Sequence, residues 1–400
     1  MTAKPELEGE NGVFALENAK KLSETAPARL ACSDAEKNAA NFLHETLAPY
    51  CDEVHEEIFN AHPSSGAFIY KAVCIMLTVS AVLFKCSEIL GSAVWACIAS
   101  PLSLAAFAIF AHKFFFDGTA ADRFFLKKQS RNLIFKRLPR GTTLTRVVIT
   151  ADLDLPRHRR SIKLGKNTAY LLVACSVLCN TFTFCVCNAW LLCGAPEDSA
   201  VFSFLSSLCV LLCVFYILSF LLYDTKKAAG CSERSACRCM IPAAVMRQLS
   251  LTGTRYSNTE FCILYTGCGS SSHAGGYAFA KKHRRTFRDV PTVFISLEDI
   301  CTSDELAVYF KETDSGSSEA ASAVAEAAES IHLKAGKEAP LFGTPAHAPF
   351  TAEKFAACSF GTTHKHGEIP ESKTPGIKAI NDTAYILTQV LNYYDNIQTQ

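Results

Sequence analysis

Four long apolar runs constrain this chain more than any other feature of its sequence. They come as two close pairs in a sequence that is otherwise polar and mixed in charge: Ala67–Phe84, Ile89–Ala111, Thr168–Cys193 and Ser199–Tyr223. The last three runs contain no Asp, Glu, Lys or Arg. A helix needs roughly 20 apolar residues to cross the hydrocarbon core of a bilayer, so these three have the length and composition of membrane spans.

The first run differs from the others because charged residues lie at its ends. Lys71 is near its start, and Lys85 and Glu88 follow it. Long charged side chains near a helix end reach the polar interface, so this run is also interpreted as a span. The sequence then predicts four transmembrane helices in two hairpins, residues 67–111 and 168–223. Two buried helical hairpins inside a large globular core are the alternative.

Each hairpin returns the chain to the side that it left. Residues 1–66, 112–167 and 224–400 are therefore expected on one side, as the N-terminal, middle and C-terminal parts of one domain. Residues 112–167 contain fourteen Lys and Arg against four Asp, whereas the loop 194–199 is acidic. Positive residues accumulate on the cytoplasmic side, which predicts a multi-pass protein of the cell membrane with a cytoplasmic domain. The 19 cysteines form no disulfide-like pattern, consistent with a reducing compartment.

The charge balance argues against nucleic acid as a partner. The formal net charge is +1, and the soluble segments contain no basic stripe with interleaved aromatic residues. The apolar runs predict the lipid bilayer as a partner instead. The basic block at residues 123–166 is expected to form a membrane-proximal surface on the inner side, where it can touch anionic lipid.

The soluble segments alternate between strand and helix patterns. Strands are predicted at Cys51–Phe59, Asn132–Leu138, Thr143–Thr150, Thr259–Thr266, Pro291–Leu297 and Phe355–Phe360. Helices are predicted from Ser33 to about Pro49, over Ile241–Leu249, Ala274–His283 and Ala379–Tyr394, and as an exposed helix over Ser315–Ile331. This alternation predicts an α/β fold, a three-layer sandwich with a mixed central β-sheet. Chemistry in such sheets gathers at the carboxyl ends of strands, here Ala151–Asp154, Gly267–Ser272 and Glu298–Asp299.

Four of these segments carry a resemblance to a known family. Ser33–Leu43 looks like its N-terminal helix, and Arg146–Asp154 is similar to a strand that ends in AHxD. Ile263–Tyr277 is similar to its strand and TGxEExGxxG loop, and Val293–Glu298 to a strand that ends in NLD. The chain resembles the co-catalytic di-zinc aminopeptidases of metallopeptidase family 28 (clan MH).

The resemblance implies two zinc ions held by two His, a bridging Asp, a further Asp and a Glu, with a neighbouring Glu as general base. At the matching positions this chain has Asp152 for the first His, Asp154 for the Asp that orients it, Glu233 for the bridging Asp, Glu298 for the further Asp, and His366 or His364 for the last His. The Glu pair matches Gly269 and Ser270. Neither residue is a base near neutral pH, and losing a positioned base costs about 10²–10⁴-fold.

These replacements predict a catalytically inactive pseudopeptidase without a cofactor. Its former substrate cleft is expected to bind a peptide or a protein partner. The first alternative is an active metal-dependent aminopeptidase with a rearranged site drawn from Asp152, Asp154, Glu233, Glu298 and His366, which favours harder metals than zinc. The second alternative is a transport or channel component. It is disfavoured because the spans contain almost no ionisable residue.

Overall fold

The structure is a computed structural model that describes most of the chain. It covers residues 5–114, 125–155, 157–159, 200–228, 232–303, 306–338, 345–362 and 374–397, with a few positions between 175 and 185. The chain divides into two compact units. The first comprises Met1–Pro63, Lys127–Arg157 and Lys227–Gln400, and the second comprises Ser64–Leu126 and His158–Lys226.

Most described strands belong to one mixed sheet of eight, in the order β1-β2-β6-β3-β7-β10-β8-β9. The strands are β1 (Glu53–Ala61), β2 (Lys128–Arg137), β3 (Thr145–Asp152), β4 (Arg157–Arg159), β5 (Tyr223–Ala228), β6 (Thr259–Thr266), β7 (Thr292–Leu297), β8 (Leu306–Phe310), β9 (Ala335–Glu338) and β10 (Ala356–Thr362). β3 lies between β6 and β7 and is parallel to both, and β10 is parallel to β7. β4 pairs with β5 in a separate sheet. The carboxyl ends of β3, β6, β7 and β10 therefore meet at one edge.

Helices cover both faces of the large sheet. The described helices are α1 (Pro5–Thr25), α2 (Asp34–Leu47), α3 (Ser65–Leu90), α4 (Ala93–Phe114), α5 (Ala200–Leu222), α6 (Ser232–Leu251), α7 (Gly269–Ser272), α8 (Ala274–Lys282), α9 (Ser315–Glu329), α10 (Ala348–Ala352) and α11 (Ile377–Ile397). On β3, Val147 and Ile149 belong to a core shared with α1, α2, α6, α9 and α11. Val148 belongs to a second core with Phe279 of α8 and Phe350 of α10. Because alternate strand residues point to opposite faces, these two cores make three layers, as predicted.

Several predicted elements are confirmed within a few residues. β6 has the predicted bounds, and Ser33 is the N-cap of α2, with the Glu36 N–H donating to Ser33 Oγ over 3.2 Å. The predicted exposure of the helix at Ser315–Ile331 is wrong, since Ala320, Ala321 and Val324 are fully buried. The small alanine side chains let α9 pack closely against β10 and α11. α1, β8 and β9 were not predicted.

The second unit contains apolar helices. Two are long and apolar enough to cross a membrane, over Phe68–Leu90 and Ala93–His112, whereas Ala200–Val214 in α5 is a shorter apolar helix. The predicted run Thr168–Cys193 lies largely outside the described residues. The described part of the chain therefore supports two of the four predicted spans, on length and composition.

The charges at the end of α3 are paired within this unit. Lys85 Nζ lies 2.7 Å from Glu88 Oε2, and it also donates to Ser207 Oγ of α5 over 3.1 Å. Ser203 Oγ of α5 donates to Glu88 Oε1 over 2.8 Å, and Ser206 Oγ donates to Glu88 Oε2. These contacts give both charges polar partners and join α3 to α5.

Candidate functional site

The predicted strand ends do come together at one edge of the sheet. Asp152 at the end of β3 pairs in register with Thr266 at the end of β6, and Thr266 Oγ1 donates to Asp152 Oδ1 over 2.7 Å. The Ser270 N–H donates to Asp154 Oδ1 over 2.9 Å. On the other side of β3, Glu298 directly follows β7. Asp152, Asp154, Ser270 and Glu298 thus surround the edge, as the sequence predicts for a site in an α/β sheet.

A buried arginine that the sequence analysis did not identify stands among these carboxylates. Arg238 of α6 has a side chain that is 7% exposed, and its Nη2 lies 3.8 Å from Asp152 Oδ2. Its Nη1 lies 3.7 Å from Asp299 Oδ1, and Nη2 also donates to the Asp152 carbonyl oxygen over 3.4 Å. Burial alone lowers the pKa of Arg238, but the carboxylates of Asp152 and Asp299 outweigh burial and raise it. The guanidinium is therefore charged at every physiological pH.

Asp154 is fully buried, and the buried guanidinium of Arg29 lies close enough to interact electrostatically with it. Burial has the largest effect, and the neighbouring acids Glu36 and Asp152 add to it, so that the pKa of Asp154 is raised well above the ordinary value. Asp154 Oδ2 has no hydrogen-bond partner in the part of the chain that the structure describes. This environment favours the neutral, protonated acid.

Gly269 is packed against Asp152. A Cβ added at Gly269 would overlap the Asp152 carboxylate and lie 2.8 Å from Thr266 Oγ1. The Asp152 side chain thus fills the space into which a side chain at position 269 would extend. Gly269 and Asp152 fit each other as a pair, and a larger residue at 269 requires Asp152 to move.

Glu36 holds the loop that contains Gly269. Its carboxylate accepts hydrogen bonds from the N–H groups of Cys268 and Cys32, at 2.6 and 2.7 Å, and from Ser130 Oγ at 3.1 Å. Burial raises the pKa of Glu36 although these three donors favour its charged form. Glu36, in the first turn of α2, therefore fixes the loop after β6.

Two predicted ligand positions are placed elsewhere or are not described. Glu233, at the start of α6, accepts a hydrogen bond from Thr374 Oγ1 over 3.2 Å and lines a cavity of about 420 Å³ beside α1. Among the described residues, no hydrogen bond or ion pair joins Glu233 to Asp152 or Glu298. His364 and His366 lie outside the described residues.

A different histidine lies beside Glu298. The Ala346 N–H donates to Glu298 Oε1 over 3.2 Å, and His347 follows directly. His347 is buried, and its Nδ1 lies 2.8 Å from Ser359 Oγ on β10. Burial, with a smaller effect of His273, lowers the pKa of His347 to about 4. His347 lies nine residues before β10 and next to a short helix that contains Pro349, a local pattern that does not indicate its approach to Glu298.

The groups that this edge of the sheet can bind follow from its charges. Across the described ranges, no three His, Cys, Asp or Glu side chains converge in a way that would hold a metal ion. Asp152, Glu298 and Asp299 instead share their surroundings with the Arg238 guanidinium. A site of this kind can recognise charged or hydrogen-bonding groups. Ser270 Oγ donates to the Asp154 carbonyl oxygen over 2.7 Å and lies 3.4 Å from Asp152 Oδ2, whose carboxylate also has Thr266 and Arg238 as partners.

Comparison with known proteins places the fold. No family model and no curated protein matches the chain. A glutaminyl cyclase from an Acidobacteriales bacterium is similar in structure, with a TM-score of 0.53, 10% identity, and 96% of this chain and 95% of that chain covered. BSAP, a zinc aminopeptidase from Bacillus subtilis, has a TM-score of 0.53 at 11% identity, with 96% and 95% covered. A leucine aminopeptidase precursor from Bacteroides thetaiotaomicron has a TM-score of 0.52 at 8% identity, with 95% and 96% covered.

These identities are low, so the likeness establishes the fold alone. The chain has a fold like that of zinc aminopeptidases and glutaminyl cyclases. The family resemblance that the sequence motifs carry is thereby confirmed at the level of architecture.

Proposed function

We propose that this chain is an integral membrane protein whose aminopeptidase-like domain has lost metal-dependent hydrolysis and acts by binding a peptide or a protein partner. The observation that carries the proposal is the pairing of Gly269 with Asp152 beside the Arg238 guanidinium. The general-base position has no carboxylate, and a buried cation stands against the remaining acids. Both features work against a pair of zinc ions at this edge.

The donor set supports the same conclusion. Zinc prefers neutral imidazole, thiolate and ionised carboxylate ligands. Asp154 favours its protonated form, and Asp152 lies 3.8 Å from the Arg238 guanidinium. His347, the histidine beside Glu298, lies with its Nδ1 against Ser359. The described residues therefore do not fit the zinc site of the family, and no step of a reaction is assigned to them.

Membrane integration is supported by the surface of the apolar helices. Large apolar side chains are exposed along α3, α4 and α5, including Ile75, Val82, Val94, Leu104, Phe204 and Leu211. Soluble proteins rarely expose apolar patches of this extent. With the basic segment 112–167, this surface favours a multi-pass protein with a cytoplasmic domain. Extraction of membranes with alkaline carbonate should leave the chain in the pellet, and its release would contradict integration.

Loss of activity is tested on the full chain purified in detergent. Release of N-terminal amino acids and glutaminyl cyclisation are assayed with added zinc, manganese or magnesium. We expect neither activity above that of the D154N/E298Q double variant. Metal-dependent turnover that this variant lacks would favour the alternative of an active enzyme with a rearranged site.

Peptide binding is tested by fluorescence anisotropy with labelled peptides of varied N-terminal residue. Asp299→Arg reverses a charge at the candidate cleft, and Asp289→Arg makes the same change at the opposite end of the sheet. We expect binding by the wild type and by Asp289→Arg, with at least a tenfold loss, about 1.4 kcal/mol, in Asp299→Arg. Equal binding by both variants would exclude the cleft as the binding surface.

A further inference from the structure

Two cysteines of the first compact unit are bound to the same carboxylate through their backbones. The Cys268 N–H donates to Glu36 Oε1 over 2.6 Å, and the Cys32 N–H donates to Glu36 Oε2 over 2.7 Å. Both cysteines carry thiols in the structure. Because the two oxygens belong to one carboxylate, the backbones at positions 32 and 268 are held close together although they are far apart in sequence.

The two cysteines also share one small apolar cluster. Cys268 forms this cluster with Ala31 and Ala61, and Cys32 packs against it. Cys268 is fully buried, whereas Cys32 is partly exposed. An oxidant in solution therefore meets Cys32 first, because the reaction of a thiol depends on access to it.

The backbone of both cysteines is in the left-handed region. The angle φ is 57° at Cys32 and 51° at Cys268. Residues other than glycine seldom adopt this conformation, and such residues concentrate at functional sites and switch regions. Glycine would adopt it without strain, so the local backbone does not explain a cysteine at either position.

We propose that Cys32 and Cys268 form a redox-sensitive disulfide when a low-molecular-weight disulfide such as oxidised glutathione is present. The Cys32 thiolate attacks one sulfur of the oxidant, and the Cys268 thiolate then attacks the Cys32 sulfur. Each attack displaces one glutathione thiolate, which takes up the proton that the attacking thiol gave up. Two protein thiols are thereby oxidised to one disulfide, and one oxidised glutathione is reduced to two thiols. In a reducing compartment such a bond is transient, as in other redox sensors.

The disulfide would join two segments that border the candidate site. Cys32 directly precedes Ser33, the N-cap of α2. Cys268 directly precedes Gly269, which packs against Asp152. A cross-link between distant residues restricts the unfolded chain and so stabilises the folded one. The oxidised protein is therefore expected to melt at a higher temperature than the reduced protein.

The test oxidises the full chain in detergent at pH 8 with oxidised glutathione and then blocks the remaining thiols with N-ethylmaleimide. Trypsin releases Cys32 in the peptide 30–37 and Cys268 in the peptide 256–281, which also contains Cys262. Mass spectrometry, before and after reduction with dithiothreitol, identifies peptides that are joined by a disulfide. Circular dichroism measures the melting temperature of the oxidised and the reduced protein.

Two variants accompany the wild type. Cys32→Ser removes the more accessible thiol of the pair. Cys262→Ser is the matched control, because it removes the other thiol of the peptide that contains Cys268. We expect the two peptides to be joined in most chains of the wild type and of Cys262→Ser, and in none of Cys32→Ser. Oxidation should raise the melting temperature of the first two proteins by about 5 °C and leave that of Cys32→Ser unchanged.

Absence of the joined peptides at a large excess of oxidised glutathione overturns the inference, whether or not glutathione is attached to Cys32. Joined peptides that disappear in Cys262→Ser also overturn it, since the bond would then involve Cys262. No peptide ligand enters this test, so its outcome is independent of the proposed function.

Discussion

Two buried arginines lie near opposite ends of strand β3, and their ion pairs differ. Near its start, Arg146 Nε and Nη2 lie 3.1 and 3.2 Å from the two carboxylate oxygens of Glu260. The Arg146 guanidinium also lies over the Phe287 ring, 4.3 Å from its centroid. Near the end of β3, Arg238 lies 3.8 Å from Asp152 and 3.7 Å from Asp299.

The solvent exposure of the nearer partner differs in the same sense, although the outer partner of Arg146, Asp289, is itself 60% exposed. The Glu260 side chain is 5% exposed, whereas those of Asp152 and Asp299 are 13% and 37% exposed. The amino end of β3 is thus the more closed ion pair, in which Arg146 Nη2 donates to Glu260 Oε2, as expected of scaffold. The carboxyl end is wider and more open, as expected where this kind of sheet binds ligands.

The largest expected loss of stability is at the amino end of β3. Arg146→Ala leaves the Glu260 carboxylate buried without its guanidinium, which should lower the free energy of unfolding by about 3–5 kcal/mol. Arg238→Ala should cost less, about 1–3 kcal/mol, because water reaches Asp299 and part of Asp152. Urea unfolding of both variants measures the difference. A larger loss for Arg238→Ala would mean that the carboxyl end is the tighter pair.

The next largest loss of stability is expected from a substitution that tests how closely Gly269 packs against Asp152. Gly269→Ala should lower the free energy of unfolding by about 3 kcal/mol, the upper end for overpacking, because the added Cβ overlaps the carboxylate. In an Asp152→Ala background the same change should cost much less, since the overlapping atoms are gone. A double-mutant cycle measures this coupling. Additive costs would show that Asp152 moves aside freely and that position 269 accepts a side chain.

The stability of the fold should also depend on pH through His347, which lies near the carboxyl ends of the parallel strands. His347 has a pKa of about 4 in the folded chain against an ordinary value of 6.5, so between these values the unfolded chain binds a proton that the folded chain excludes. Stability from this group therefore rises as the pH rises through that interval. Between pH 7 and pH 5 the wild type should lose about 2 kcal/mol more than His347→Gln.

Urea unfolding of both proteins at the two pH values checks this prediction. Because every other titrating group is common to both, the difference between their pH profiles isolates His347. Parallel profiles would mean that the imidazole is protonated as easily in the folded chain as in the unfolded one.

The smallest effects on stability are expected at the more exposed carboxylate beside each arginine, Asp289 for Arg146 and Asp299 for Arg238. The side chains of Asp289 and Asp299 are 60% and 37% exposed. Asp289→Asn and Asp299→Asn should each change the free energy of unfolding by less than about 1 kcal/mol, and less at high salt, because exposed ion pairs are weak and screened. A loss of several kcal/mol in Asp299→Asn would place that residue among the essential partners of Arg238.

Much of the sheet could be predicted from the sequence because its strands are buried runs of apolar and β-branched residues. Thr259–Thr266 is such a run, and the polar residues after each strand indicated the edge where Asp152 and Glu298 meet. The helix at Ser315–Glu329 was misjudged because alanine, serine and glutamate are common on exposed helices. Only the folded chain reveals that its alanines pack into the core.

The candidate site was harder to predict than the sheet. Arg238 lies in a helix that is buried along most of its length, so no apolar stripe indicates which side chains face the edge. His347 was missed because its neighbours Glu298 and Ser359 are distant in sequence. The clash between a Cβ at position 269 and Asp152 depends on the three-dimensional approach of the end of β3 and the start of α7, which sequence spacing does not reveal.

The most direct test of the proposed loss of the zinc site is the metal content of the full chain after purification in detergent and dialysis against trace zinc, manganese and magnesium. Elemental mass spectrometry measures the bound metal per chain. With the Arg238 guanidinium as the cation at this edge, we expect no stoichiometric transition metal. A pair of tightly bound zinc ions, lost on substitution of Asp152 or Glu298, would contradict it and would favour a working metallopeptidase.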